Sequence, residues 1–238
     1  MPRFLPILAL FLASLSVLGL ARVTAASAAI VAQDPVCDVA ADSALGRENY
    51  AEAIRLHQRI VAIHADDALA HYHLGFAYGM LARRSEELAE YRKAAQLGLQ
   101  QWDLYVNLGR VYLEGGAYPA ATDALLIAVA LGPHHPEAHF NLGLAYERRA
   151  MLPQAEQALR AALRLDRNQA EANNMLAVIC AEAGDRAEAR RIWTDLTASQ
   201  PTFTAARTNL ALLDHAGNFV APAPSIKATV VAYAEAQP

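Results

Sequence analysis

WDLYVNLGRVYLEGGAYPAATDALLIAVALGPHH, residues Trp102–His135, is the stretch on which the reading of this chain turns. PEAHFNLGLAYERRAMLPQAEQALRAALRLDRNQ, Pro136–Gln169, follows it at once and repeats its pattern 34 residues on. Leu74-Gly75, Leu108-Gly109 and Leu142-Gly143 keep that spacing, and Leu176-Ala177 and Leu210-Ala211 continue it. So do Tyr78, Tyr112 and Tyr146, and Ala121, Ala155 and Ala189. A fixed period of this length signals a stacked array rather than a closed globule.

Inside one period the apolar residues fall three and four apart, which is helical spacing. Leu104, Val106, Leu108 and Val111-Tyr112 line a first helix, and Ala120-Ala121, Ala124-Leu125 and Ala128-Val129 a second. Gly115-Gly116 separates them, and Gly132-Pro133 ends the second, because proline cannot continue a helix. Gly109 and Gly143 lie within a helix, where glycine costs about 1 kcal/mol against alanine. Two helices crossing too closely for a Cβ would account for that cost. Each helix pair leaves an apolar face that only the next pair can cover, so the repeats must stack.

The Leu-Gly-x-x-Tyr, Gly-x-Tyr-x-x-Ala and Pro spacing resembles the tetratricopeptide repeat, matched in Trp102–His135 by Trp102, Leu108, Gly109, Tyr112, Gly116, Tyr118, Ala121, Ala128 and Pro133. The resemblance implies an all-α, right-handed α-solenoid of stacked 34-residue helix–turn–helix units. Four full repeats are expected at 68–101, 102–135, 136–169 and 170–203, after a degenerate repeat at 34–67. A capping helix is expected at 204–216 and a mostly disordered tail at 217–238. In the repeat at 68–101, Arg83-Arg84-Ser85 stand where the turn belongs and Glu87 where a small residue belongs. Its second helix is therefore expected to start late or to pack loosely.

Residues 1–28 follow another rule. Arg3, the apolar run Phe4–Leu20 and the small residues ending Ala26-Ser27-Ala28 have the order of a secretory signal peptide cleaved after Ala28. The alternative is an uncleaved inner-membrane anchor, although the run is shorter than the ~20 residues a spanning helix needs. The expected location is periplasmic or secreted, with membrane contact only if this segment stays attached. The net charge of −4 becomes −4 − 2 = −6 once Arg3 and Arg22 are removed. A mildly acidic chain without a basic stripe is poorly suited to nucleic acid. Cys37 and Cys180 lie four repeats apart, too far for a disulfide, whose Cα atoms must come within about 7 Å.

Motifs for catalysis are missing: there is no phosphate-binding glycine loop, no nucleophile elbow and no His-Glu-x-x-His helix. The chain reads as a non-enzyme with no cofactor and no metal site. Two histidine groups invite a zinc reading, His71 and His73 with His64 and Asp66-Asp67, and His134-His135 with His139. Residues two apart on a helix point in nearly opposite directions, so His71 and His73 cannot easily share an ion.

The resemblance implies that first helices line a concave groove. One column along them reads His73, Asn107, Asn141, Met175, Asn209, and the column before it Tyr72, Val106, Phe140, Asn174, Thr208. Three residues beyond the first column stand Phe76, Arg110, Leu144, Val178 and Leu212. Amides flanked by apolar side chains suit an extended peptide, since each can donate to one backbone carbonyl and accept from one N–H. The column is similar to the asparagine ladder of O-linked N-acetylglucosamine transferases, here begun by His73 and interrupted by Met175. The alternative is that each amide ties one helix to the next. The carboxylate clamp of heat-shock co-chaperones is not reproduced: its positions hold Val106 and Arg110, Asn141, then Glu171 and Met175. The acidic residues Asp103, Glu114, Glu137, Glu147, Glu171 and Glu182 on or beside this face point to a neutral or mildly basic peptide.

The expected function is that of an exported scaffold holding a protein or peptide partner in its groove and supporting an envelope assembly. The expected groove residues are Tyr72, His73, Phe76, Val106, Asn107, Arg110, Phe140, Asn141, Leu144, Asn174 and Asn209. The alternative is a membrane-anchored accessory subunit organising an inner-membrane complex through its convex face. A metal or redox role is a third possibility.

Overall fold

The computed structural model describes residues 38–214; the segment 1–28, Cys37 and the tail 217–238 lie outside them. The described residues form helices and no strand. In chain order these are α1 (Val39–Gly46), α2 (Tyr50–Ile63), α3 (Ala68–Met80), α4 (Arg84–Gln96), α5 (Trp102–Glu114) and α6 (Tyr118–Leu131). They continue as α7 (Pro136–Arg148), α8 (Leu152–Leu165), α9 (Ala170–Glu182), α10 (Arg186–Ser199) and α11 (Thr204–Asp214). The starts of α3, α5, α7, α9 and α11 are each 34 residues apart. Every helix packs against the next in sequence, which makes the fold a helical solenoid.

Local chemistry sets the helix boundaries. Asp38, Asn49, Asp67 and Asp185 accept backbone N–H groups at the starts of α1, α2, α3 and α10. Proline stands in the first turn of α6, α7 and α8, where its missing N–H costs nothing. Between the two helices of each repeat one residue turns left-handed, at φ values of 56° (Glu48), 56° (Ala82), 73° (Gly116), 55° (Ala150) and 92° (Gly184). Glycine fills this position twice; elsewhere the chain bears the cost of a Cβ there.

The stack is held by a large residue set against a small one. A Cβ on Gly109 would lie 2.5 Å from Leu125 Cγ, one on Gly75 2.5 Å from Tyr91 Cδ1, and one on Gly143 2.8 Å from Leu159 Cγ. Ala177 and Trp193, both wholly buried, hold the same two positions a repeat later. First helices also approach one another across repeats, α5 with α7 and α9 with α11, and among the described residues no pair of second helices does so comparably. That places the first helices on the inner side of the stack. No helix among the described residues is long and apolar enough to cross a membrane.

One local expectation is corrected. The second helix of the 68–101 repeat does not start late: α4 begins at Arg84, in phase with α6, α8 and α10. Ala82 takes the left-handed turn, and Glu87 is wholly buried in the small-residue position. Gly79 makes room for it, since a Cβ there would lie 2.5 Å from the Glu87 carboxylate.

Gly109→Ala should lower stability by about 1–2 kcal/mol, because crowding Leu125 outweighs the better helix propensity. Ala150→Gly should raise it by about 0.5–1 kcal/mol by relieving the left-handed turn. Denaturant unfolding with unchanged slope reads both; stabilisation by Gly109→Ala would contradict the close packing.

Candidate functional site

The inner-side columns meet the preceding repeat at a recurring joint of three positions, one on a first helix, one on its second helix and one on the next first helix. The joints read Asp42–His57–His73, Phe76–Tyr91–Asn107, Arg110–Leu125–Asn141, Leu144–Leu159–Met175 and Val178–Trp193–Asn209. Of the expected groove residues, Phe76 and Phe140 are partly exposed and the others are buried. Most of the set thus packs between helices.

The amide column divides on this geometry. Asn174 Oδ1 accepts from Trp193 Nε1 at 2.9 Å and from Asn209 Nδ2 at 3.0 Å, so these two amides knit α9, α10 and α11 together. Asn141 Nδ2 donates to its own helix at the Glu137 carbonyl, 2.8 Å away. Tyr72 Oη donates to Asp103 Oδ2 at 2.7 Å, and burial pushes this phenol well above its ordinary value. Val106 and Leu144 are core residues, each 2% exposed. Asn107 differs. Its buried Nδ2 makes only a weak contact with the Tyr72 hydroxyl, and Arg110 Nε, one helical turn on, has no partner.

Both residues line a cleft of about 60 Å³ between α3, α4 and α5, bounded also by Phe76, Met80, Arg84 and Tyr91. That volume holds a few water molecules. Arg110 is fixed there by a closed ring of charges. It donates through Nη2 to the buried Glu87 and through Nη1 to Glu114 Oε1 at 2.7 Å. Arg84 closes the ring on Glu87 Oε2 at 2.7 Å and Glu114 Oε2 at 3.0 Å. Two guanidinium groups and two carboxylates balance, so what the cleft offers a ligand is hydrogen-bond donation rather than net charge.

The fold separates the histidines that are neighbours in sequence. His71 faces Glu90 Oε2 at 2.5 Å and the Ala65 carbonyl at 3.2 Å. His73 instead meets His57 Nε2 at 2.9 Å and Asp42 Oδ1 at 3.3 Å. The hydrogen bond with His73 holds the Asp42 carboxyl below its ordinary value, and burial holds the His57 imidazole below its own. His57 Nε2 and Asp42 Oδ1 are 3.6 Å apart. Sequence spacing pointed away from His57, which shares no helix with His71 or His73. At the other corner His135 stacks on Trp102 at 3.7 Å, and His139 donates to the Pro133 carbonyl. Cys180 is buried, and burial raises its thiol above the ordinary value.

Comparison with known proteins agrees with this architecture. A tetratricopeptide repeat family model matches residues 88–136, 106–170 and 151–202, so that stretch carries tetratricopeptide repeats. Among solved structures, YrrB, described as a tetratricopeptide protein with an unusual peptide-binding site, superposes with a TM-score of 0.66 at 23% identity, over 71% of this chain and 87% of that one. MamA from Desulfovibrio magneticus RS-1 gives 0.63 at 22% identity, over 68% and 92%. PilF of Pseudomonas aeruginosa gives 0.59 at 23% identity, over 73% and 85%. No curated protein gives a significant sequence match. At these identities the likeness establishes the fold.

Glu87→Ala should cost about 3 kcal/mol by stranding part of the buried Arg110 charge. The pair Glu87→Ala with Arg110→Leu, which installs residues that other repeats carry at these positions, should recover most of that loss. Thermal and denaturant unfolding of both variants would decide; an additive double loss would mean the ring is not a coupled unit.

Proposed function

We propose that the chain is a scaffold that binds an extended segment of another protein on the inner side of the solenoid, centred on the cleft between α3, α4 and α5. The observation that carries this reading is the buried Arg110 Nε without an acceptor and the weakly engaged Asn107 Nδ2, both on residues that line that cleft. Buried donors left unmade cost about 1–3 kcal/mol each, and a peptide carbonyl can supply what they lack. Phe76 and the exposed Met80 give apolar surface beside them. The balanced charge of the ring suits a neutral backbone segment better than an acidic one. The absence of motifs for catalysis supports a binding role without chemistry of its own.

The signal-like order of Arg3, Phe4–Leu20 and Ala26-Ser27-Ala28 supports export and service in an envelope assembly. A second reading has its own observation. Leu126, Ile127 and Leu131 of α6 are 46%, 44% and 38% exposed, an apolar strip on a second helix. Such a strip favours a contact through the outer side, as an accessory subunit of a membrane complex would make.

Crosslinked capture from envelope extract by residues 29–238 tests the two readings together. Asn107→Ala removes an amide whose Nδ2 makes only a weak contact with the Tyr72 hydroxyl. It should therefore leave the unfolding midpoint in place while weakening the captured partner by about 1–3 kcal/mol. Asn209→Ala, which breaks the bond to Asn174, should lower stability instead. Capture that survives Asn107→Ala but is lost in Ile127→Glu would move the contact to the outer side.

A further inference from the structure

The first joint of the solenoid carries three side chains whose chemistry the protein-binding reading does not use. Asp42 comes from α1, His57 from α2 and His73 from α3. At the same three positions the later joints hold Phe76, Tyr91 and Asn107, then Arg110, Leu125 and Asn141. A stack of helices needs only packing at these positions, and packing does not call for two imidazoles and a carboxylate in one place.

We propose that Asp42, His57 and His73 bind a divalent transition-metal ion, zinc foremost, which pins the N-terminal helix to the solenoid. The ligand atoms are His57 Nε2, His73 Nδ1 and Asp42 Oδ1, with sides of 2.9, 3.3 and 3.6 Å. Ligand atoms held about 2.1 Å from a tetrahedral ion are roughly 3.4 Å apart, so the triangle already has the dimensions of one tetrahedral face. The next shell is in place on His57. His57 Nδ1 lies 2.9 Å from the Ala53 carbonyl, which can only accept. The ring proton therefore sits on Nδ1 and the lone pair of Nε2 is turned to the cluster, the arrangement that orients metal-ligating histidines.

The surroundings fit a fourth ligand and a route in. A cavity of about 10 Å³ adjoins the three side chains, the room of about one water molecule, and Asp67 lines it. The two imidazoles are nearly sealed, at 2% and 4% side-chain exposure, while the Asp42 side chain is 30% exposed and marks the side from which an ion enters. Two nitrogen donors, one carboxylate and an open position suit zinc better than calcium or magnesium, which favour all-oxygen shells. The purpose follows from α1. That helix has 8 residues and buries only Ala41, Ala44 and Leu45, a small apolar hold for the end of the array. An ion ligated by α1, α2 and α3 together would close it.

The test uses the full untagged chain, stripped with a chelator and titrated with zinc alone against a chromophoric competitor. The expected result is one zinc ion per chain at sub-micromolar affinity, a higher unfolding midpoint with zinc, and the intense visible absorption of tetrahedral cobalt on cobalt substitution. His57→Leu and His73→Asn install residues that other repeats carry at these positions, so both should fold. Each should bind zinc at least about tenfold more weakly and lose the midpoint shift. Asp42→Asn, on the open side, should do the same and serves as the variant of record if a histidine change disturbs the helices. Failure of the parent chain to bind zinc, or zinc affinity unchanged in all three variants, would overturn the proposal and leave the triad a hydrogen-bonded joint.

Discussion

Everything in this solenoid depends on one close approach, repeated along the chain: a wholly buried large side chain of a second helix seated where the facing first helix has no room for a Cβ. Leu125 on Gly109 is the clearest instance, and Tyr91 on Gly75 and Leu159 on Gly143 are its neighbours. The contact fixes the crossing of the two helices within a repeat. Once that crossing is fixed, the face left for the next repeat is fixed too, and the period propagates. This is why a glycine that weakens its own helix is retained in the middle of one. Stability in such an array is close to a sum over repeats and the interfaces between them, so each joint can carry its own chemistry without disturbing distant ones.

That independence explains what could be read from the sequence. Helix type, number and phase were legible because leucine, glycine, tyrosine and alanine recur at one spacing, and Pro119, Pro136 and Pro153 mark helix starts. The delayed start expected for α4 was an error of local reasoning. Arg83-Arg84-Ser85 looks like a broken turn, yet a left-handed Ala82 completes it. Glu87 looked misplaced because its compensation is split between two other helices. Gly79 supplies the space from α3 and Arg110 the charge from α5. A buried carboxylate is affordable only with both, and neither is a neighbour in sequence.

The amide column shows the opposite limit. Its periodicity was visible, but period alone does not say whether an amide faces a partner or a neighbouring helix. The decision rests on details one residue away: Trp193, a donor needing an acceptor, draws in Asn174, and Asn174 in turn engages Asn209. Leu125 and Leu159 at the Trp193 position offer no such donor. His57 was missed for a related reason. Histidines were sought at short spacing, whereas the joint draws one residue from each of three successive helices. Reading the columns back by one repeat from Phe76, Tyr91 and Asn107 gives Asp42, His57 and His73 directly.

Polarity is therefore distributed unevenly along the stack, and the unevenness has a physical consequence. The joint Leu144–Leu159–Met175 is apolar and gains from burial alone. The first three joints and the last bury polar groups, and their contribution depends on how completely those groups are satisfied. Around Arg110 the charges close into a ring, but Arg110 Nε and Asn107 Nδ2 are left over. Keeping poorly matched buried donors beside the half-buried Phe76 lowers stability around this cleft. A site that gains its missing acceptor from a partner would recover that loss on binding, which couples occupancy of the cleft to the rigidity of the repeats on either side.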